Sequence, residues 1–374
     1  MATTGVREYA TTGNYSVLTR HAWSNKLHKQ VQDKLYFNKK GFIGPDMGDE
    51  DALDKVTAWY PVVQKTELGK EGGDRITMPL LRQLVALKTT GNTALKDTTG
   101  NSTTAGEDPL DFWSFNAWIE LMRHATGWQH KMSPQRNKFH SKEVVAGLLS
   151  DWLAQEMDDS IFNTFYNRYS DHVITETAAA STAHPNLFFG GDATDEDGVD
   201  SADVFDTSVL ERMAVWAEDN NINPVRMANG EEGFIAIIHP YQMYTLRDDD
   251  RWINANQHGN HRGLENPIFS GSEGKWAGVY CHTTRKIATP ASSVADYANK
   301  RKTILMGAHS VARAMGQRPQ LIKRDDTDYG RISNWAIDVI FGDARADWGS
   351  DDGNSTTSNQ SSSIWTTYAA NPVS

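Results

Sequence analysis

Few side chains in this 374-residue sequence stand at spacings that do chemistry. The stretch Gly271-Ser272-Glu273-Gly274-Lys275-Trp276 has the look of a phosphate loop, whose backbone amides cradle a phosphate. A P-loop, however, needs four residues between its glycines and Ser or Thr after the lysine, and this stretch has neither. Asp195, Asp197 and Gly198 carry the residue types of a calcium loop, yet its first and twelfth ligand positions would fall on Ala193 and Val204. A weak surface cation is the most those carboxylates support. His258 and His261 have no cysteine near them and no HExxH helix, so metal-ligand spacing is absent. There is no GxSxG elbow, no GxGxxG after a strand and no internal repeat. The expectation is a protein that is not an enzyme, with no cofactor and no bound metal. An active site dispersed along the chain, as in a soluble hydrolase, would escape such a search and stays as an alternative.

Composition narrows the class. With 39% hydrophobic residues and 12 tryptophans, the chain can bury a real core. One cysteine, Cys281, excludes an internal disulfide framework and reads as a small core residue in an apolar strand. The first sixteen residues, MATTGVREYATTGNYS, contain no apolar signal core, and no run is long enough to span a bilayer, so no membrane partner is expected. A net charge of −11 argues against a protein that reads DNA sequence, which needs cations to neutralise phosphates. An acidic surface can still face DNA that it must not hold.

The elements that would position these residues follow from periodicity. Trp23, Leu27, Val31 and Leu35 recur every four residues within a lysine-rich segment, an amphipathic basic helix. Its stripe either docks on its own chain or grips a neighbouring subunit, and the acidic total favours a neighbour as its partner. Arg75 to Leu87 and Phe112 to Leu121 read as two extended strands. They are joined by a Thr/Gly/Asn-rich tip of a length that usually serves binding. From Pro134 to Tyr169 the pattern is helical, with Val144, Leu148 and Trp152 in one series and Met157, Ile161 and Phe165 in the next. Such a helix would span roughly 50 Å and reads as a strut. Ser208 to Asn220 predicts a second helix, with Ser208 and Glu211 spaced as a capping box.

Phe234 to Ile238 reads as a buried strand, ended by His239-Pro240, where Pro240 opens a helix through Tyr244 and Leu246. Asp248 to Asp250 stops that helix, and a polar loop leads through Gly271, Gly274 and Gly278 into an apolar strand, Trp276 to Cys281. Trp335, Ile337, Val339 and Phe341 alternate with polar or small residues, the mark of a sheet with one buried face. Gly349 to Ser363 reads as a linker, after which Ile364, Trp365 and Tyr368 would anchor the end on a surface.

In chain order, AWSNKLHKQVQDKLYF, DRITMPLL, the strut starting at MSPQR, FFGGDATDEDGVDSADVF, IHPYQMYTLRDDDRW, NPIFSGSEGKWAGV, and GQRPQLIKRDDTDYG with VIFGDARADW resemble the major capsid proteins of tailed phages, specifically the N4-like family. The similarity runs from about Ala22 to Trp348. It implies an α+β, HK97-like capsid fold: an N-terminal arm over 1–60, an extended β-hairpin loop over 61–131, and a peripheral domain with the long spine helix over 132–223. An axial domain over 224–308, peripheral return strands over 309–348 and a C-terminal tail over 349–374 complete it.

The implied function is a coat protein that self-assembles through pentamers and hexamers into the icosahedral shell around double-stranded DNA. It would be assembled in the bacterial host cytoplasm and reside in the virion. A portal, a separate scaffolding protein and a decoration protein are the implied partners. No long charged helix precedes Ala22, so a fused scaffold and N-terminal maturation cleavage are not expected. Inter-subunit contacts are expected at Trp23, Leu27, Val31, Leu35, Arg75, Lys88, Lys96, His258, His261, Gly274 and Trp365. In one relative, a loop lysine joins a covalent cross-link; Lys88 and Lys96 are the counterparts to consider here. An encapsulin-type compartment, using the same fold to enclose an enzyme, is the alternative within the fold.

Overall fold

The long periodic segment forms the longest helix, and both halves of the molecule are built along it. The computed structural model describes residues 27–46, 59–66, 73, 75–81, 112–127, 142–167, 184–226, 230–258, 274–323, 334–346 and 361–372. Helix α1 covers 27–34, and α2 is the single turn Tyr36–Lys39. Strands β1 (Ile43–Asp46), β2 (Val62–Lys65), β3 (Arg75–Leu81), β4 (Phe112–Trp118) and β5 (Glu120–Gly127) precede the spine helix α3, Lys142–Tyr166. Next come β6 (Leu187–Phe189), α4 (Thr207–Asp219), β7 (Val225–Arg226), β8 (Glu232–Ile238), α5 (Pro240–Arg247) and α6 (Asp250–His258). The chain ends through β9 (Gly274–Trp276), β10 (Val279–Thr283), β11 (Lys300–Met306), β12 (Val311–Lys323), β13 (Asn334–Arg345) and β14 (Ser362–Tyr368).

One sheet has five strands in the order β1-β2-β12-β13-β5. The other has seven, β6-β14-β11-β8-β10-β9 with β7 also on β8, and β3 and β4 form a separate two-stranded antiparallel ribbon. The ribbon strands are where the sequence puts the two arms of the extended loop. Residues 82–111, which hold its tip, lie outside the described residues.

The 25 described residues of α3 are about 37 Å long, and residues 134–141, where the expected strut begins, lie outside the described residues. Its buried line is Val145, Leu149, Leu153, Met157, Ile161 and Phe165, one unbroken series at four-residue spacing. Of the expected series, Val144 and Leu148 are exposed and Trp152 is half-buried against the core, because the line through Met157 extends back to Val145 and not to Val144. The first half of α3 packs with α1 against β5, β12 and β13. The second half passes to the junction of the sheets, where Ile161, Phe162 and Phe165 meet Ile235, Ile237, Ile304 and Val311. There, Ser160, Asn163 and Thr164 are buried as well, so the helix is enclosed all round.

A third core fills the seven-stranded sheet's other face with α4, α5 and α6. It joins Val209 and Met213 to Phe234 and Leu246, so the expected boundary at 223/224 runs through a continuous core. Helix α4 is capped by Asp206, whose carboxylate accepts from the Val209 amide, and not by Ser208. The tail is a second correction. Residues 362–368 are no surface anchor but a strand between β6 and β11, with Ile364 and Trp365 buried. Strand β13 buries Trp335, Ile337, Val339 and Phe341 on one face, as the alternation predicts.

Candidate assembly surfaces

The wedge from β8 to β10 is held by local chemistry that the sequence anticipates. Ile235 to Ile238 are fully buried, and His239 caps α5 by accepting at Nδ1 from the Tyr241 amide, 3.2 Å. The Gln242 side-chain oxygen, Oε1, accepts in return from the His239 amide at 2.8 Å, completing a capping box around Pro240. Burial, with Arg301 and Arg285 nearby, pushes the His239 imidazole down to about 4. Where a polar loop was expected after Asp250, the chain forms α6 instead. Its start is tied to α4: Asp249 accepts from the Thr207 amide and hydroxyl, at 2.9 and 2.6 Å. Burial works to raise the Asp249 carboxyl, but those hydrogen bonds and the Arg251 amide outweigh it and hold it below the usual carboxylate range.

The single expected strand over 276–281 is a hairpin. Val279 pairs with Trp276, and the two residues between them, Ala277 and Gly278, both have positive φ, at 47° and 79°. Lys275 bonds Glu231 at 2.8 Å and Tyr280 donates to the same carboxylate, which closes the hairpin onto β8 and raises the lysine's pKa. Cys281 is buried.

The expected contact residues divide sharply. Leu27, Val31 and Leu35 are 1%, 0% and 0% exposed, packed on α3 of their own chain, so this stripe has no surface left for a neighbour. Lys34 adds an ion pair with Asp151 at 2.7 Å, and Asp158 of α3 accepts from the Tyr36 amide at 2.8 Å. Burial raises the Asp158 carboxyl. Trp365 is likewise internal, stacked on Phe188 with ring centroids 4.6 Å apart. Gly274 is buried against Trp252, whose ring atoms stand 2.3 Å from where a Cβ would be. These five are positioned for the fold. Arg75 opens β3 opposite Trp118, and His258 ends α6. Trp23, Lys88, Lys96 and His261 lie outside the described residues.

What is open to a neighbour was missed in the sequence. Leu121, Val215, Leu148 and Tyr244 are 65%, 66%, 63% and 59% exposed, each apolar and each on a regular element. Only the phase of each element tells these from core residues of the same type. The carboxylates of the calcium-like loop serve the chain itself: Asp195 accepts from the Gly198 amide, Asp197 from the Ala295 amide. Among the described residues, no group of three His, Cys, Asp or Glu stands together as a metal site, and no helix is long and apolar enough to cross a membrane.

Two sheets joined by one long helix, with a ribbon leaving one of them, make a tile with several faces. A family model described as phage capsid protein matches residues 26–373. This chain belongs to that family. The capsid protein is 24% identical over 303 residues to the major capsid protein of Pseudomonas phage KPP25, covering 74% of this chain and 75% of the relative. Its fold is similar to the capsid of Ralstonia phage GP4, with TM-score 0.67, 22% identity, and 91% and 92% of the two chains covered. The cyanophage Pam1 capsid is another neighbour, with TM-score 0.62, 21% identity and 83% and 88% covered. The fold is therefore the HK97-like capsid fold, the location is the virion, and the match is to the phage capsid family as a whole.

Proposed function

We propose that many copies of this capsid protein close through pentamers and hexamers into an icosahedral head shell around double-stranded DNA. The observation that carries this is the family match across 26–373, nearly the whole chain. In this reading, 224–308 is the axial part that meets its copies around the symmetry axes, while the arm and the β3–β4 ribbon reach adjacent subunits. Each contact is modest, and the shell is stabilised because every subunit makes several. The net charge of −11 suits a wall along which packaged DNA slides without being gripped. The protein does no catalysis. A scaffolding protein, a portal and a decoration protein complete the set of partners, and assembly takes place in the host cytoplasm.

The test is electron cryomicroscopy of particles from cells producing the full chain with the phage's other head proteins. Hollow or DNA-filled shells with five- and six-fold capsomers are expected. A monodisperse monomer with turnover, or shells filled with a protein cargo, would overturn the reading.

A further inference from the structure

One rim of the seven-stranded sheet carries charge of both signs, held apart. Strands β6, β14, β8 and β10 all run in one direction and β11 runs against them. The ends of those four strands and the start of β11 therefore meet at a single rim. Arg285 stands two residues past the end of β10, Arg301 is the second residue of β11, and the loop from Gly190 to Asp206 leaves the rim from β6.

The basic side has no carboxylate of its own. Arg285 is exposed and, among the described residues, makes neither a hydrogen bond nor an ion pair. Arg301 is half-buried over the Tyr241 ring, 5.4 Å from its centroid, and its Nη1 donates to the Ala298 and Lys300 carbonyls at 2.7 and 2.8 Å. Both arginines bear on His239 as like charges. Two guanidiniums side by side without a counter-ion, in a chain of net charge −11, are a surface made for an anion.

The acidic side is the reverse. Asp192, Asp195, Asp197 and Asp200 are all exposed, and none is in an ion pair among the described residues. Their loop is nevertheless fastened: buried Lys300 donates to the Glu196 and Asp197 carbonyls at 2.7 and 3.1 Å, and Lys302 pairs with the Glu196 carboxylate at 2.7 Å. Alternation along β11 sends Lys300 and Lys302 to one face of the sheet and Arg301 to the other. Along the rim, β6 and β10 are four strand spacings apart, roughly 19 Å. Exposed charges are screened over about 8 Å at physiological salt, so the two groups do not neutralise each other within one copy.

We propose that the Arg285 and Arg301 face of one copy docks on the 192–200 loop of the next. Opposite charges on opposite faces of one chain are the complement that a head-to-tail contact needs, and such contacts repeat into closed rings. Duplex DNA is the rival anion, but it would leave the four carboxylates without a partner, whereas a second copy serves both faces at once. The inference rests on the shell reading above.

The experiment follows assembly of the full chain from dissociated subunits in the absence of DNA. Arg285→Glu and Asp192→Lys are each expected to leave the near-ultraviolet circular dichroism unchanged and to raise the assembly threshold about threefold or more. Arg285→Gln, which removes the charge without reversing it, should raise it less. The chain carrying both Arg285→Glu and Asp192→Lys is expected to assemble at a lower threshold than either single variant, because the reversed charges attract again. A double variant that does not, or an Arg285→Glu chain at the unmodified threshold, overturns this contact and leaves the shell reading intact. So do Arg285→Glu shells that form normally and retain less DNA in cells, which would assign the arginines to DNA. An unmodified chain that forms no shell, even with the phage's other head proteins, overturns both.

Discussion

Arg313 is 1% exposed, and its replacement by methionine tests how the spine helix is held to the sheet. Its Nε donates to Asp343 Oδ1 at 2.8 Å and its Nη2 to Asp343 Oδ2 at 2.9 Å, joining β12 to β13. The same Nη2 donates to the Met157 carbonyl of α3 at 2.6 Å, and the Ser160 hydroxyl donates to Asp343 Oδ2 at 2.6 Å. The pair thus fastens α3 where it passes from the five-stranded sheet to the junction between sheets. Arg313→Met removes the counter-charge and leaves the Asp343 carboxylate buried, which costs about 3–5 kcal/mol. Replacing both partners with apolar residues removes the stranded charge too, so Arg313→Met/Asp343→Leu should cost less than Arg313→Met alone. The assay is urea unfolding of the full chain, kept below its assembly concentration and followed by tryptophan fluorescence. A cost under about 1 kcal/mol for the single change, or single effects that simply add in the double, would refute the reasoning.

The acid side of the stability profile should carry the signature of His239. Its imidazole is held at about 4 in the fold against an ordinary 6.5, so between those values the unfolded chain takes up a proton that the folded chain refuses. The contribution is complete above about pH 6.5 and is lost as pH falls toward 4; His239→Asn, which keeps a capping side chain, should flatten the fall in melting temperature over that window. The two hairpin glycines should differ. Gly278→Ala meets nothing within 4 Å and costs only its positive φ, about 1–2 kcal/mol, whereas Gly274→Ala drives a methyl into Trp252 and should cost more in the same unfolding measurement.

Wherever one local pattern had one outcome, the residues alone were enough. His239-Pro240 after an apolar run can only end a strand and begin a helix, and the alternation from Trp335 to Phe341 leaves one buried face. On α3, two adjacent apolar series compete, and the choice falls to whichever runs continuous with Met157, Ile161 and Phe165. The Ser208 box lost to Asp206 because a carboxylate one turn earlier reaches the Val209 amide. The tail misled for a different reason. Ser362 to Tyr368 is a short stretch whose partners, Lys300 to Met306, lie some sixty residues earlier, so nothing near it marks it as a strand.

Local motifs were legible in composition and spacing, since a phosphate loop, an EF-hand or a zinc-binding helix needs particular residue types at particular intervals and the near-matches here fail on named positions. The contact surfaces needed the tertiary structure. Leu27 and Leu121 are the same residue type on regular elements, yet one is sealed under α3 and the other is 65% exposed. That difference arises from which face a distant helix or ribbon covers, and burial depends on the whole arrangement of neighbours, which local periodicity does not encode.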